Sequence, residues 1–229
     1  FLFIVLVGTT SAFDSSDVEV LERDNVCIKC DLDGVDLAGI NLRAADLRDS
    51  SMVGANLAGA NLGGARLNSA NLTAVSMVGA GLMHSNLSGA KMNRANLAGA
   101  HLSASVLNKA NLRQTVLIGA NLERADLSSA DLTQANLSYT NLFEADVKYA
   151  DLTESDLVLA NLSYADFEGA NFSRADLTKA NLFRSNLTEA NLSFANMTET
   201  NLVDSRLDGA KFCKTKVSQG SQSGQDCEQ

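Results

Sequence analysis

The sequence predicts an all-β solenoid, because three features repeat along it with a fixed period of five residues. Apolar residues stand at every fifth position from Leu32 to Phe212, in 37 consecutive units without an insertion. A small residue stands two positions before nearly all of them, and Asp or Asn stands one position before 27 of the 37. A unit of five residues cannot bury its own apolar side chain, so such units must stack and share one core.

A period of five excludes both regular alternatives. In an α-helix, a step of five residues rotates the side chain by roughly 140°, which would scatter the apolar positions around the whole cylinder. In a flat strand, successive fifth residues would point to opposite faces of the sheet. The backbone must therefore turn once in each unit.

The repeat also predicts which side chains face the core. The 37 central residues are 29 Leu, four Met, three Phe and one Val. The residue two before the centre is Ala, Ser or Thr, except at Cys30, Val35, Ile40 and Val75. Residues two apart on an extended segment face the same way, so we expect both to point inward. The Asp or Asn between them can hydrogen-bond nearby backbone and tolerates tight turns, and the other two positions are expected to face solvent.

The tandem A(D/N)LXX pattern resembles the pentapeptide-repeat family over about four fifths of the chain. That resemblance implies a right-handed quadrilateral β-helix, with one pentapeptide per side and four per coil. The repeat units would then make about nine coils, each adding roughly 4.8 Å to the length of the rod. The stretch NVCIKCDLDGVDLAGINL also resembles the opening of cyanobacterial and chloroplast lumenal members.

The flanks of the repeat predict four segments. Residues 1–12, FLFIVLVGTTSA, are too short to cross a bilayer and end in small residues, a pattern typical of a signal-peptide remnant. The alternative is a buried hydrophobic start. Residues 13–26 are expected to form an N-terminal cap, residues 27–212 the β-helix, and residues 213–229 a polar tail. No later stretch is apolar for long enough to span a membrane.

Within the cap, a short helix is predicted to cover the first coil. Ser15, Ser16 and Asp17 supply candidates for its N-cap and an early negative charge. Val18 and Leu21, with Val20 beside them, supply its apolar face.

Charge is distributed unevenly along the chain. The formal net charge of −9 argues against general binding to nucleic acid phosphates, which needs a basic surface. Residues 51–120 contain no Asp or Glu and five Lys or Arg, whereas residues 121–212 contain fifteen acidic and seven basic residues. The middle of the rod is therefore expected to be mildly basic and both ends acidic.

The chain offers few residues for catalysis or metal binding. Cys27 and Cys30 lie at one end and Cys213 and Cys227 at the other, too far apart for one four-ligand zinc site. In an exported protein we expect structural disulfides, Cys27 with Cys30 and Cys213 with Cys227, with free thiols as the alternative.

The remaining candidates for chemistry belong to the repeat pattern. His84 and His101 fall at outward positions and are expected to be solvated, and the Asp residues recur with the repeat. Neither a phosphate-binding loop nor a catalytic triad is recognisable, so no enzymatic activity and no cofactor or metal is predicted.

One side of the rod is the predicted contact surface. If a coil has twenty residues, positions twenty apart stack into columns, and one pair of columns becomes flat and apolar. Tight turns also favour glycine, which would explain part of this pattern without any contact. The predicted contact residues are Ala38, Gly59, Val78, Gly79, Ala98, Gly99, Ile118, Gly119, Tyr139 and Leu159. Further outward aromatic residues in the second half of the repeats are Phe143, Tyr149, Tyr164, Phe183 and Phe194.

Two functions follow from these features. The first is a non-enzymatic structural or protein-binding solenoid that holds an unknown partner or a second copy of itself. The N-terminal pattern indicates export, and the resemblance implies the thylakoid lumen or the periplasm as the compartment. The alternative comes from family members that mimic DNA and bind gyrase through a long acidic rod. The acid-free residues 51–120 would interrupt such a surface here, and export would separate the protein from gyrase.

Overall fold

The structure, a computed structural model, describes residues 13–217 as one short helix followed by a continuous β-helix. The predicted signal-peptide remnant at 1–12, Cys227 and most of the predicted tail lie outside the described residues. Within the part that is described, no helix has the length and apolarity needed to cross a bilayer.

Helix α1 spans Ser15–Asp24 and lies against the start of the β-helix. Its N-cap is Asp14, one residue before the predicted Ser15–Asp17, because the Asp14 carboxylate accepts a hydrogen bond from the Ser16 backbone N–H at 2.9 Å. Val18 and Leu21 are buried in the common core, as predicted. The Asp17 carboxylate accepts a hydrogen bond from the backbone N–H of Asp31 at 2.7 Å, which fixes α1 to the first coil.

Each coil of the β-helix contains twenty residues. The residue before each centre, which is most often Asp or Asn, is called the Asx position. Parallel bridges join each residue at this position to the residue twenty places later, from Val26 with Asp46 to Asn191 with Lys211. The last pairing forms two short parallel strands, β1 (Asn196–Met197) and β2 (Lys216–Val217). Four pentapeptides therefore complete one coil, and the rod has four sides.

A tight turn follows every central residue. The carbonyl of the centre accepts a hydrogen bond from the N–H three residues on, as from Ala60 to Leu57 at 3.0 Å. The second residue after the centre has a positive φ in all 38 turns from Lys29 to Lys214, and 27 of the 38 are not glycine. This combination is typical of a type II turn, and it confirms one turn per repeat.

The core is a single column of stacked centres and small residues. Central residues from Leu32 to Leu192 are at most 2% exposed, and the intervening Ala, Ser and Thr residues are buried with them. Buried hydroxyls at the small position donate to the carbonyl three residues earlier, as Ser105 does to Leu102 at 2.6 Å. The predicted inward pair is therefore confirmed.

The β-helix extends beyond its predicted end at Phe212. Thr215 and Val217 keep the small and apolar positions for one more unit, and Phe194 donates its N–H to the Cys213 carbonyl at 2.7 Å. The core is thinner there, since Leu207 and Phe212 are only partly buried. The boundary predicted at Phe212, where the A(D/N)LXX pattern ends, therefore lies one unit before the end of the described β-helix.

Candidate interaction surfaces

The four sides of the rod differ in what they expose. Each side is named after its first leucine centre, so the Leu32, Leu37, Leu42 and Leu47 sides follow one another along the chain. Residues twenty apart on a side stack, and their side chains meet. All four sides carry hydrogen bonds or ion pairs between side chains twenty residues apart, but on the Leu37 side these contacts are confined to its two ends, between Asn56 and Asp36 and beyond Leu159.

The Leu32 side carries the longest ladder. Arg94 donates to Gln114 at 3.2 Å, Gln114 to Gln134 at 2.8 Å, and Gln134 to Glu154 at 2.8 Å. Hydrogen bonds from Gln134 and Arg174 lower the pKa of Glu154. The ladder ends on Phe194, whose ring lies between two cations, 5.9 Å from the Arg174 guanidinium carbon and 5.6 Å from Lys214 Nζ.

The Leu42 and Leu47 sides are laddered in the same way. On the Leu42 side, Arg124 donates to Glu144 at 2.7 Å. On the Leu47 side, Lys148 lies 3.1 Å from Asp166, and this hydrogen bond raises the pKa of the lysine. These exposed pairs join neighbouring coils, and each is expected to contribute at most about 1 kcal/mol to stability.

The Leu37 side lacks such charges over five coils. Between Asn56 and Tyr139 its outward positions contain no Asp, Glu, Lys, Arg or His. Beyond Leu159 this side is charged again, and Lys179 and Glu199 form an ion pair there at 3.7 Å. The structure therefore places the predicted contact residues in two adjacent columns on the Leu37 side, and all of them except Ala38 and Leu159 lie in the five coils without charge. Their role in contact stays a prediction.

Turn geometry explains only part of the glycine column on the Leu37 side. Gly39, Gly59, Gly79, Gly99 and Gly119 all have positive φ, as glycine allows, yet most turns in this chain adopt the same conformation without glycine. A Cβ added at any of the five would meet nothing within 4 Å. Packing therefore does not require the flat surface.

Exposed apolar residues border this glycine column. Val78 and Ile118 are each 40% exposed, Leu159 is 44% exposed and Tyr139 is 61% exposed. Side chains of this kind on an uncharged surface are typical of contact sites.

The outward aromatic residues of the second half do not form one patch. Phe143, Tyr164 and Phe183 pack edge to face on the Leu42 side, with ring centroids 5.5 and 5.6 Å apart. Tyr149 lies on the Leu47 side, where its hydroxyl donates to Glu168 at 3.2 Å, and Phe194 lies on the Leu32 side. The position of these residues in the second half of the sequence does not reveal that they lie on three different sides. Assigning each residue to its column in a twenty-residue coil would have revealed it.

The cysteines fit the expected structural role. Cys27 and Cys30 are buried and form a disulfide, and Cys213 is also disulfide-bonded. Its predicted partner, Cys227, lies outside the described residues. Among residues 13–217, the one group of three potential metal-ligand atoms is Asp17, Cys27 and Cys30, and its two sulfurs are bonded to each other. His84 and His101 both lie exposed on the Leu42 side.

The fold defines a class of protein, the β-solenoids built from stacked five-residue repeats. A family model described as pentapeptide repeats matches the chain in eight copies, and the chain belongs to this family. The matched residues are 27–64, 50–89, 82–117, 95–134, 105–142, 140–178 and 180–219. Comparison with curated proteins gave no match.

Solved structures of the same family are similar to this chain. HetL, a pentapeptide repeat protein involved in heterocyst differentiation regulation from the cyanobacterium Nostoc sp. strain PCC 7120, is 31% identical, with a TM-score of 0.52. The match covers 89% of this chain and 96% of HetL.

A second neighbour shares the fold at lower identity. QnrB1, a plasmid-mediated fluoroquinolone resistance protein, is 20% identical over 80% of this chain and 92% of its own, with a TM-score of 0.62. Family and neighbours together support the right-handed β-helix that the resemblance implied.

Proposed function

We propose that the protein is a non-enzymatic, protein-binding solenoid that uses its Leu37 side as the contact surface and works in an exported compartment. The observation that carries the proposal is the contrast between sides. The other three sides carry hydrogen-bonded or ion-paired side chains across coils, as between Gln134 and Glu154, whereas the Leu37 side presents glycines and exposed apolar side chains with no charge over five coils.

The size of this surface is that of a weak or transient contact. From Ala38 to Leu159 there are six coil steps, about 29 Å in all, and a side of five residues is at most about 16 Å wide. The strip is therefore about 460 Å², compared with about 800 Å² per partner in a standard stable interface. We expect binding through this strip alone to be weak and transient, and a tighter partner to extend onto an adjacent side.

The contact surface is tested by placing charges on it. Ala98→Arg combined with Ile118→Glu puts a cation and an anion on adjacent coils, an arrangement that the fold already accommodates between Arg124 and Glu144. Sedimentation velocity at up to about 100 µM should then show loss of self-association, and pull-down from the native compartment should lose the partner. The matched control, Ser88→Arg with Asn108→Glu, makes the same change on the Leu47 side. Equal behaviour of the two variants would discard the proposed surface.

Export is supported by two observations. Residues 1–12 contain an apolar run followed by small residues, a pattern typical of signal peptides, and the buried Cys27–Cys30 disulfide is of a kind that persists in oxidising compartments. The proposed compartment is the thylakoid lumen or the periplasm. Fractionation of cells that express a tagged full-length precursor, with alkylation of free thiols before lysis, should recover an exported protein with oxidised cysteines. A cytosolic protein with free thiols would contradict export.

The alternative is an acidic DNA mimic that binds gyrase. The similarity to QnrB1 shows the shared fold alone, and a mimic needs a continuous acidic surface. The acid-free residues 51–120 interrupt such a surface, and carboxylates of the second half are partly neutralised, as Asp166 is by Lys148. A gyrase supercoiling assay decides the matter, and inhibition at low micromolar concentration would replace our proposal with the DNA mimic.

A further inference from the structure

A notch interrupts the Leu42 side in the first half of the rod. Its volume is about 310 Å³. Gly63, Gly64 and Gly81 form its floor, and Arg43, Met83 and His84 stand around it. By volume it would hold about ten water molecules, which is enough for a small organic group.

The notch exists because side chains are missing where neighbouring coils have them. Gly81 occupies an Asx position between Asn61 and His101. A Cβ added at Gly81 would meet its nearest atom at 3.7 Å, and one added at Gly63 would meet Asn61 Oδ1 at 3.3 Å. Only Gly64 has a positive φ, of 68°. At Gly81, therefore, neither packing nor backbone conformation demands glycine, whereas a side chain at Gly63 would require Asn61 to move by a few tenths of an ångström.

The walls of the notch carry one guanidinium, one imidazole and one apolar side chain. The Arg43 guanidinium takes part in no ion pair among residues 13–217, in contrast to Arg48, which binds Asp46 at 2.7 Å. His84 is exposed, and residues 51–120 contain no acidic side chain. Arg43 itself lies before this range, next to the C-terminal end of α1, where Asn25 donates a hydrogen bond to its carbonyl at 3.0 Å. Met83 is 49% exposed and offers a thioether beside the bare backbone of the floor.

We propose that this notch binds a carboxylate carried on a small apolar group. A guanidinium fork matches a carboxylate in a bidentate arrangement, and His84 can donate a further hydrogen bond. The apolar body would lie over the glycine floor and against Met83. The carboxylate can belong to a free organic acid or to the carboxyl terminus of a partner polypeptide. The site lies on the Leu42 side and does not depend on the proposed contact surface.

The test is a titration of ¹⁵N-labelled protein followed by NMR. Isovalerate should shift the amide signals of the three floor glycines, with a dissociation constant in roughly the millimolar range for so small a ligand. Its neutral amide, isovaleramide, should not. A leucine-terminated hexapeptide, with a free or an amidated carboxyl terminus, separates the two sources. Tighter binding of the free-terminus peptide than of isovalerate assigns the site to a partner's terminus, and the reverse order assigns it to a free acid.

Two kinds of variant complete the test. Arg43→Gln should weaken isovalerate binding by at least about tenfold, since a hydrogen-bonded charge partner is lost. Gly63→Ser combined with Gly81→Asn fills the notch with side chains found in neighbouring coils and should abolish binding while the fold persists. Arg94→Gln, which removes a cation from the Leu32 side, should leave binding unchanged. Equal binding of acid and amide, failure of every carboxylate to bind, or full binding by Arg43→Gln or by the filled variant would overturn the proposal.

Discussion

Replacing a core leucine should cost more in the middle of the rod than at its end. Leu102 is fully buried between coils on both sides, whereas Leu207 in the last coil is only partly buried. Leu102→Ala removes three buried carbon atoms, worth about 2.4 kcal/mol, and leaves a cavity, so the expected loss of unfolding free energy is about 3 to 4 kcal/mol. For Leu207→Ala, where solvent already reaches the side chain, we expect about 1 to 2 kcal/mol.

Urea unfolding followed by circular dichroism measures this difference. Both variants should show a lower midpoint, with the larger shift for Leu102→Ala. The two substitutions are chemically identical and occupy the same position of the repeat, so only burial separates them. Equal losses, or a loss below about 1 kcal/mol for Leu102→Ala, would refute the reasoning that stacked coils share one continuous core.

Two further perturbations test local features of the fold. Gly169→Ala should destabilise the protein more than Gly39→Ala, because the new Cβ at Gly169 would lie 2.6 Å from the Tyr149 ring, whereas a Cβ at Gly39 would meet nothing within 4 Å. In a Tyr149→Ala background, thermal melts should show the same loss of stability for both substitutions. A larger loss for Gly169→Ala in that background would contradict the contact. The Arg48 hydrogen bond lowers the pKa of Asp46 below 3.8, so the folded state holds its proton less tightly than the unfolded state does. The stability from this pair is present above pH 3.8 and is lost as pH falls through the lowered pKa, so Asp46→Asn should flatten acid unfolding curves in that range, and an unchanged curve would exclude the effect.

The repeat made the main features of the fold predictable. A period of five without slips requires one turn per unit, and the restriction of two positions two apart identifies the inward pair, from Leu32 to Leu192. Both follow from local rules that hold in every unit. The capping helix was also predictable from local sequence signals. Its N-cap at Asp14 was not, because several consecutive residues could have acted as the N-cap.

The surfaces were harder to predict because they depend on which residues become neighbours. The flat Leu37 side could be deduced once a coil of twenty residues was assumed. The ladder from Arg94 to Lys214 and the notch at Gly63 and Gly81 are also visible at a spacing of twenty, but only the structure shows which side chains meet. The sharing of Phe194 between two cations depends on side-chain conformation, which no sequence pattern specifies.

Distances between spin labels along one column test the central geometric claim most directly. Labels attached through an unnatural amino acid at Ala58, paired in turn with Ile118 and Val158, are separated by three and five coils. At roughly 4.8 Å per coil, pulsed dipolar spectroscopy should give backbone separations of about 14 and 24 Å, linear in the number of coils. Separations that grow irregularly, or that exceed these values severalfold, would show that residues twenty apart do not stack.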